Sequence, residues 1–164
     1  MTVLHRTRLT AIAFCIATFA GCSSLNSKVG GALNLDTDVT LTFIASKNIN
    51  PDESGRPSPL FVRVYELKSA RQFERANFID LYERETQVLG AELLGKQTLK
   101  PLKPGDERKD KFVINPEANY VGLVAEFLQY KNAKFKVVIP VASKNVIASS
   151  STVRISGNSM SIDE

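Results

Sequence analysis

The sequence predicts a mainly β protein, folded as a two-sheet β-sandwich with a short helical insert. Several segments alternate apolar and polar residues, which is the period of a strand with one buried face. Gly, Pro, Asn and Ser residues between these segments are typical of turns. The stretch 69–85 lacks the alternation and carries helix-capping residues instead. Several short strands with one helical insert are typical of a sandwich.

The strand pattern is strongest in six segments. In the first, alternate residues from Val39 to Ala45 share one face. Gly157-Asn158 separates the last two segments and predicts a hairpin. Two weaker candidates, 97–99 and 108–114, flank a turn at Lys103-Pro-Gly-Asp106. The six strong segments are 39–45, 60–67, 120–128, 135–141, 151–156 and 158–162.

The helical insert divides into two short helices. Ser69-Ala-Arg-Gln72 has the residues of a capping box, which predicts a helix over 70–76. The apolar residues that follow do not share one helical face. We therefore expect a second helix over 78–85, with Asn77 as its N-cap.

The N-terminal residues have the pattern of an export signal. Residues 1–8 are basic and contain no acid, and residues 9–19 form an uncharged, largely apolar run. That run is too short to span a bilayer, which takes about 20 residues, and it matches the core of a signal peptide. Ala20-Gly21 before Cys22 resembles a bacterial lipobox, with Phe19 where Leu is usual. We expect cleavage before Cys22 and lipidation of its thiol, for example by palmitate. A plain secretion signal with an incidental cysteine is the alternative.

This interpretation divides the chain into a signal peptide (1–21), a lipidated flexible tether (22–35) and a β-sandwich domain (36–164). The tether is rich in Ser, Asn and Gly, and its root-mean-square reach is about 20 Å. Ser23 stands where Asp commonly retains lipoproteins at the inner membrane. We therefore expect an outer-membrane location with the domain facing the periplasm.

Charge and composition exclude several classes of function. The chain has 21 Lys and Arg against 17 Asp and Glu. Removal of residues 1–21 takes Arg6 and Arg8 and leaves a charge of +2, which is weak support for nucleic-acid binding. It also takes His5 and Cys15, so Cys22 is the remaining cysteine. Such a chain cannot form a Ser-His-Asp triad, a His/Cys zinc site or an internal disulfide. We expect no catalytic residue, metal or cofactor.

One motif superficially matches a phosphate-binding loop. The spacing from Gly90 to Lys96 fits, but Gln97 stands where a Ser or Thr should bind Mg²⁺. The residues between the glycines are apolar, so we interpret the segment as the end of a helix near Gly90 or Gly95.

A basic stretch surrounds the Pro-Gly turn. It could contact anionic lipid or an acidic partner, or it could be a solvated edge hairpin whose lysines discourage edge-to-edge pairing. We favour the edge hairpin. Its members are Lys96, Lys100, Lys103, Arg108, Lys109 and Lys111.

The segment 48–59 joins the first two strong strands and is longer than a hairpin needs. Its three prolines stiffen it and lower the entropic cost of binding. Ile49 is an apolar residue that could anchor a partner. Composition alone favours a recognition loop and a disordered loop about equally. The candidate partner-binding residues are Asn48, Ile49, Asn50, Pro51, Asp52, Glu53, Ser54, Gly55 and Arg56.

Several runs together resemble the TssJ (VasD-like) family of type VI secretion lipoproteins, over about residues 36–141. The most specific run is Ile49-Asn-Pro-Asp52 followed by Gly55-Arg-Pro-Ser-Pro59. Val62-Arg-Val-Tyr-Glu-Leu-Lys68, Leu102-Lys-Pro-Gly105 and Tyr120-Val-Gly-Leu-Val-Ala125 continue it in order. The chain differs from the family in having Phe135-Lys136 in place of Trp-Arg.

The resemblance implies a transthyretin-like sandwich without enzymatic activity. It implies an outer-membrane anchor through acylated Cys22, and binding to the periplasmic domain of the inner-membrane protein TssM through the loop 47–59. Neither nucleic acid nor a small-molecule substrate is implied.

Two other functions remain open from the residues alone. A lipid-anchored periplasmic β-sandwich could bind a small-molecule ligand in a pocket with convergent polar groups. An enzyme could use carboxylates only, which requires an acid pair in a cleft.

Overall fold

Eight strands and three short helices make up the computed structural model, which describes residues 37–141 and 149–163. The helices are α1 (Arg71–Arg75), α2 (Phe78–Glu83) and α3 (Glu85–Leu89). Two 3₁₀ turns lie at Gly90–Glu92 and Tyr130–Asn132. The strands are β1 (Thr37–Ala45), β2 (Val62–Leu67), β3 (Leu93–Thr98), β4 (Glu107–Ile114), β5 (Tyr120–Ala125), β6 (Lys136–Pro140), β7 (Ser149–Ser156) and β8 (Ser159–Asp163).

The strands form two four-stranded sheets. The first has the order β4-β1-β7-β8 and the second has the order β3-β2-β5-β6. β1 and β7 pair in parallel, and every other strand pair is antiparallel. The prediction of a mainly β, two-sheet protein with a helical insert is confirmed.

The core lies between the sheets and explains the alternation seen in the sequence. Along β1, Val39, Leu41 and Phe43 are buried, whereas the residues between them are partly exposed. Each large apolar side chain buried this way contributes about 1.5–3 kcal/mol to folding. The other strands supply the same core with Leu60, Val62, Val64, Val121, Leu123, Ile139, Val153, Ile155 and Met160, among others.

A second apolar cluster lies on the outer face of the second sheet, where the helices cover it. Tyr65 and Leu67 of β2 are fully buried there against Phe73 and Leu81. The Tyr65 hydroxyl donates to the backbone oxygen of Leu81 at 3.0 Å. Both faces of β2 are therefore buried, which simple alternation does not reveal.

The caps of the helices partly follow the sequence prediction. Asn77 is the N-cap of α2, as predicted, and it also forms a full capping box with Asp80. The predicted box at Ser69 is wrong, because the helix begins at Arg71 without a side-chain bond from its N-cap, Ala70. The Glu92 carboxylate instead accepts from the backbone N–H of Gln72 at 3.0 Å.

The weaker strand candidates are real strands, but they do not form a hairpin. The first is longer than predicted and begins at Leu93. β3 is an edge of the second sheet, whereas β4 is an edge of the first. The prediction of a hairpin across residues 96–111 is therefore wrong, although both strands do lie at sheet edges. The chain changes sheets after Thr98, where Leu99 and Leu102 are buried in the core.

The strands predicted at 60–67, 120–128 and 135–141 are shorter in the structure. The segments predicted at 151–156 and 158–162 form β7 and β8, with the predicted hairpin between Ser156 and Ser159.

Strand direction places four connections at one end of the sandwich, which we call the loop end. These are 46–61, 99–106, 126–135 and 157–158. Thr37, the first described residue, lies at the opposite end, beside Ile114. No helix within the described ranges is long and apolar enough to cross a membrane.

Candidate functional site

The segment 48–56 lies at the loop end, and part of it is buried. Ile49 is 0% exposed and packs in the core between the sheets. The expectation that Ile49 anchors a partner is therefore wrong, because its side chain is occupied within its own chain. Asn50 is only 2% exposed. These two residues hold the base of the loop.

Asn50 forms hydrogen bonds that link three of the four connections at the loop end. Its side-chain amide donates to the backbone oxygen of Pro59 at 2.9 Å and accepts from the backbone N–H of Leu128 at 2.8 Å. Its own N–H donates to the oxygen of Gly157 at 2.9 Å. Its φ of +47° is in the left-handed region, which Asn tolerates better than most residues.

A turn within the loop, which we call the inner turn, shapes residues 52–56. One carboxylate oxygen of Asp52 accepts from the backbone N–H groups of Ser54 and Arg56, both at 2.9 Å. The other oxygen accepts from Nε of Arg56 at 2.8 Å. Gly55, with a φ of +77°, closes the turn, and its N–H donates to the backbone oxygen of Asp52. The carboxylate remains the acceptor for Ser54 and Arg56. These bonds, led by the backbone N–H of Arg56, lower the pKa of Asp52 below its ordinary value.

Gln129 attaches this turn to the neighbouring connection. Its side-chain nitrogen donates to the backbone oxygens of Pro51 at 3.1 Å and Asp52 at 2.9 Å. The loop is thus held by contacts from outside it, so its shape exists before any partner binds. Such preorganisation reduces the entropy lost on binding.

The exposed tip of the loop consists of residues 53–57. Glu53 borders an open groove that continues across the connection 126–135. Leu128 and Lys131 also line this groove, and the Leu128 side chain is 58% exposed. The sequence did not single out Leu128, because it follows a strand and looks like its continuation.

The other sequence candidates lie elsewhere. Cys22 and the segments 1–21 and 22–35 lie outside the described residues, as does Asp36 at the start of the predicted domain. The phosphate-loop spacing begins at Gly90, the C-cap of α3, so a helix ends there as interpreted, and the rest of the motif is a 3₁₀ turn and the first part of β3. Lys96 there forms an ion pair with Glu85. Burial raises the pKa of Glu85, but the hydrogen bond and charge of Lys96 outweigh it and lower the pKa overall.

The residues classed as buried polar or charged are already engaged, although single buried atoms of Arg108 and Asn158 have no hydrogen-bond partner in the described part of the chain. Asn50 and Glu85 are the buried polar or charged residues of the described ranges, and both have the partners given above. Within those ranges no three His, Cys, Asp or Glu side chains cluster as metal ligands would.

The comparisons with known proteins agree on one family. A family model described as "Type VI secretion lipoprotein, VasD, EvfM, TssJ, VC_A0113" matches residues 37–158. The match covers the second sheet, three of the four strands of the first sheet and the whole loop end, and it stops before β8. No curated protein matches the chain significantly.

Solved structures share the fold. The lipoprotein TssJ1 of Pseudomonas aeruginosa is 26% identical with a TM-score of 0.71, over 78% of this chain and 95% of that chain. Lip of Serratia marcescens, a membrane-bound component of the type VI secretion system, is 22% identical with a TM-score of 0.70, over 79% and 97%. A chain in a structure described as the TssM C-terminal domain (869-1107) from EAEC is 22% identical with a TM-score of 0.64, over 77% and 98%.

Proposed function

Because the chain belongs to the type VI secretion lipoprotein family, we propose that it anchors a type VI secretion membrane complex at the outer membrane. In this proposal Cys22 carries the lipid, and the domain binds the periplasmic domain of a TssM-like inner-membrane protein. The observation that carries the proposal is the preorganised loop 48–56, held from outside by Gln129 and Leu128. The similarity to a chain in the TssM C-terminal domain structure supports this choice of partner.

The position of the loop supports this role. β1 has nine residues, which corresponds to about 30 Å of strand between Thr37 and the loop end. A lipid on Cys22 would attach the chain on the Thr37 side. The loop end would then face away from the outer membrane, toward a partner that rises from the inner membrane.

The surface at the loop end determines which residues would touch the partner. Ile49, Asn50 and Asp52 act as positioning residues, since their groups are used in holding the loop. Direct contact falls to the exposed residues Glu53 and Arg56 and to Leu128 beside them. The Arg56 side chain is 79% exposed, with four of its five guanidinium N–H donors available beyond the Nε bond to Asp52.

We also propose that the chain is a structural component and not an enzyme. The family is described as a secretion lipoprotein. The buried carboxylate of Glu85 is neutralised by Lys96, and does not have the raised pKa of a general acid.

The test is a calorimetric titration of the mature chain, residues 22–164 with Cys22→Ser, against the periplasmic domain of its TssM-like protein. The tip variant is E53A/R56A, which leaves the buried base of the loop intact. Its matched control is K68A/E117A, which removes an exposed ion pair of the same net charge at the opposite end. We expect the tip variant to bind about tenfold more weakly or worse, and the control to bind like the parent chain.

The results test the proposed partner and the proposed binding residues separately. Equal binding by the parent, tip and control chains would keep the partner but reject the loop assignment. A lack of binding by the parent chain, with both proteins folded by circular dichroism, would overturn the proposed function.

The anchor is tested separately in cells. Cys22→Ser should abolish incorporation of labelled palmitate and release the protein from outer-membrane fractions into the soluble periplasmic fraction. Retention of Cys22→Ser in the outer membrane would reject lipidation as the anchor.

A further inference from the structure

A groove of about 800 Å³ crosses the side of the sandwich where β3 and β4 end the two sheets. It lies at the loop end but outside the segment 48–56. Its apolar lining consists of Phe61, which precedes β2, and the prolines Pro59 and Pro101. The Phe61 side chain is 47% exposed, because the residues on either side of it point into the core.

The two sides of the sandwich are linked differently. On the groove side an isolated bridge pairs Leu60, just before β2, with Leu102 of the connection 99–106. On the other side a bridge between Lys134 and Ser159 connects the sheets. At the groove, β3 and β4 belong to different sheets, and the connection 99–106 joins them with Leu99 and Leu102 buried below. The chain thus leaves a concave apolar surface with a floor of packed core residues.

Cations surround this surface. Lys100, Lys103 and Arg108 line it, against the single carboxylate of Asp106. That carboxylate is engaged within the turn, where it accepts from the backbone N–H of Lys103 at 2.8 Å. Lys47 lies nearby, with its Cγ 3.6 Å from the Cβ position of Gly105.

Arg108 has a hydrogen-bond donor without an acceptor. Its Nε donates to Asp110 at 2.9 Å, but its Nη2 is buried and has no hydrogen-bond partner in the described part of the chain. A buried guanidinium N–H without an acceptor is unfavourable. Because this nitrogen is itself buried, a ligand in the groove would meet the positive charge of Arg108 rather than this donor.

From this combination we propose that the groove is a second docking surface, which binds an extended acidic segment of a partner protein. One apolar side chain of that segment would cover Phe61 and the two prolines. Its carboxylates would pair with Lys100, Lys103 and Arg108. The positive rim and apolar floor together select against basic or purely polar segments.

A membrane surface is the other ligand that a basic, aromatic patch could contact. The geometry favours the peptide, since the surface is a groove between two sheets rather than a protruding patch.

The probe is a short fluorescein-labelled peptide of Glu and Asp around a central Phe-Leu pair, followed by fluorescence polarisation. A control peptide replaces every acid with Lys. The protein is the mature chain with Cys22→Ser. We expect saturable binding of the acidic probe, weakened by salt because the pairs are exposed, and no saturable binding of the basic control.

Variants assign the probe to the groove. Phe61→Ala and Lys100→Glu should each weaken binding about tenfold. Lys109→Glu is the matched control, because it makes the same change of charge at an exposed side chain on the outer face of β4. The tip variant E53A/R56A should bind the probe normally, so this inference and the proposed function can fail independently.

Three results would overturn the inference. The first is equal binding of the acidic and basic peptides. The second is unchanged binding of the acidic peptide by both Phe61→Ala and Lys100→Glu. The third is the absence of peptide binding together with binding to phosphatidylglycerol vesicles that depends on Lys100. The last result would assign the surface to lipid.

Discussion

The backbone N–H of Leu128 donates to the side-chain oxygen of Asn50, 78 residues away in sequence, at 2.8 Å. This bond joins the loop between β1 and β2 to the connection between β5 and β6. The two segments therefore form one surface, with the loop tip on one side and the exposed Leu128 side chain on the other.

Asn50→Ala should destabilise the domain in two ways. It removes the two side-chain bonds, leaving the Leu128 N–H unsatisfied at a cost of about 1–3 kcal/mol. It also puts Ala at a positive φ, which costs about 1–2 kcal/mol more. Urea unfolding followed by circular dichroism gives the free energy of unfolding. Asn50→Gly is the control, because it removes the bonds but accepts the φ of +47°. Equal stability of Asn50→Ala and the parent chain would contradict this account.

The inner turn of the loop should loosen in acid. The backbone N–H of Arg56 is the main cause of the lowered pKa of Asp52. Because the folded-state pKa lies below the unfolded one, the stabilisation is complete above the ordinary pKa of about 3.9 and is lost as pH falls through the lowered value. In an NMR pH titration, the amide signals of Ser54 and Arg56 should follow the Asp52 carboxyl. Asp52→Asn should remove this pH dependence, and titration at or above the ordinary pKa would refute the prediction.

Gly122→Ala should displace α1 from the second sheet. A Cβ at position 122 would lie 2.7 Å from Cζ of Phe73 and 3.0 Å from Cδ1 of Leu67. Such overpacking costs about 1–3 kcal/mol, measurable as a lower urea midpoint. The double variant G122A/F73L should recover part of the loss, because Leu vacates the space that the ring occupied. Additive losses in the double variant would show that the clash with Phe73 is not the cause.

Lys136→Met should weaken the docking of the same helix. The Lys136 ammonium donates to the backbone oxygens of Phe73, Glu74 and Ala76 at 2.9, 2.7 and 2.6 Å. These carbonyls belong to the last turn of α1, which a cation stabilises. We expect a loss of about 1.5–3 kcal/mol in the free energy of unfolding. Lys134→Met, an exposed neighbour, should change it by less than about 0.5 kcal/mol. Equal effects of the two substitutions would rule out a specific role for the ammonium.

Much of the fold could be predicted because local patterns carried it. β1 alternates buried and partly exposed residues since one of its faces lies on the core. Asn77 caps its helix because the capping box uses residues three positions apart. The loop 48–56 could be singled out because its prolines and length are visible in the chain. Its role as a contact surface remains a prediction.

The features that sequence reasoning missed depend on distant residues. Ser69 and Gln72 have the spacing of a capping box, yet Glu92, twenty positions away, supplies the bond. The segments around the Pro-Gly turn looked like a hairpin, but β4 pairs with β1 in the other sheet. Tyr65 is buried on the face that alternation assigns to solvent, because helices later in the chain cover it.

By itself the sequence determined the class of the fold and most of the strand positions, since hydrophobic period and turn chemistry act over a few residues. The export and lipidation signal remains a prediction. Only the tertiary structure decided which strands share a sheet, that Ile49 and Asn50 support the loop from inside, and that Phe61 borders an open basic groove. Burial and pairing are set by contacts between segments far apart in the chain, and a local period cannot specify them.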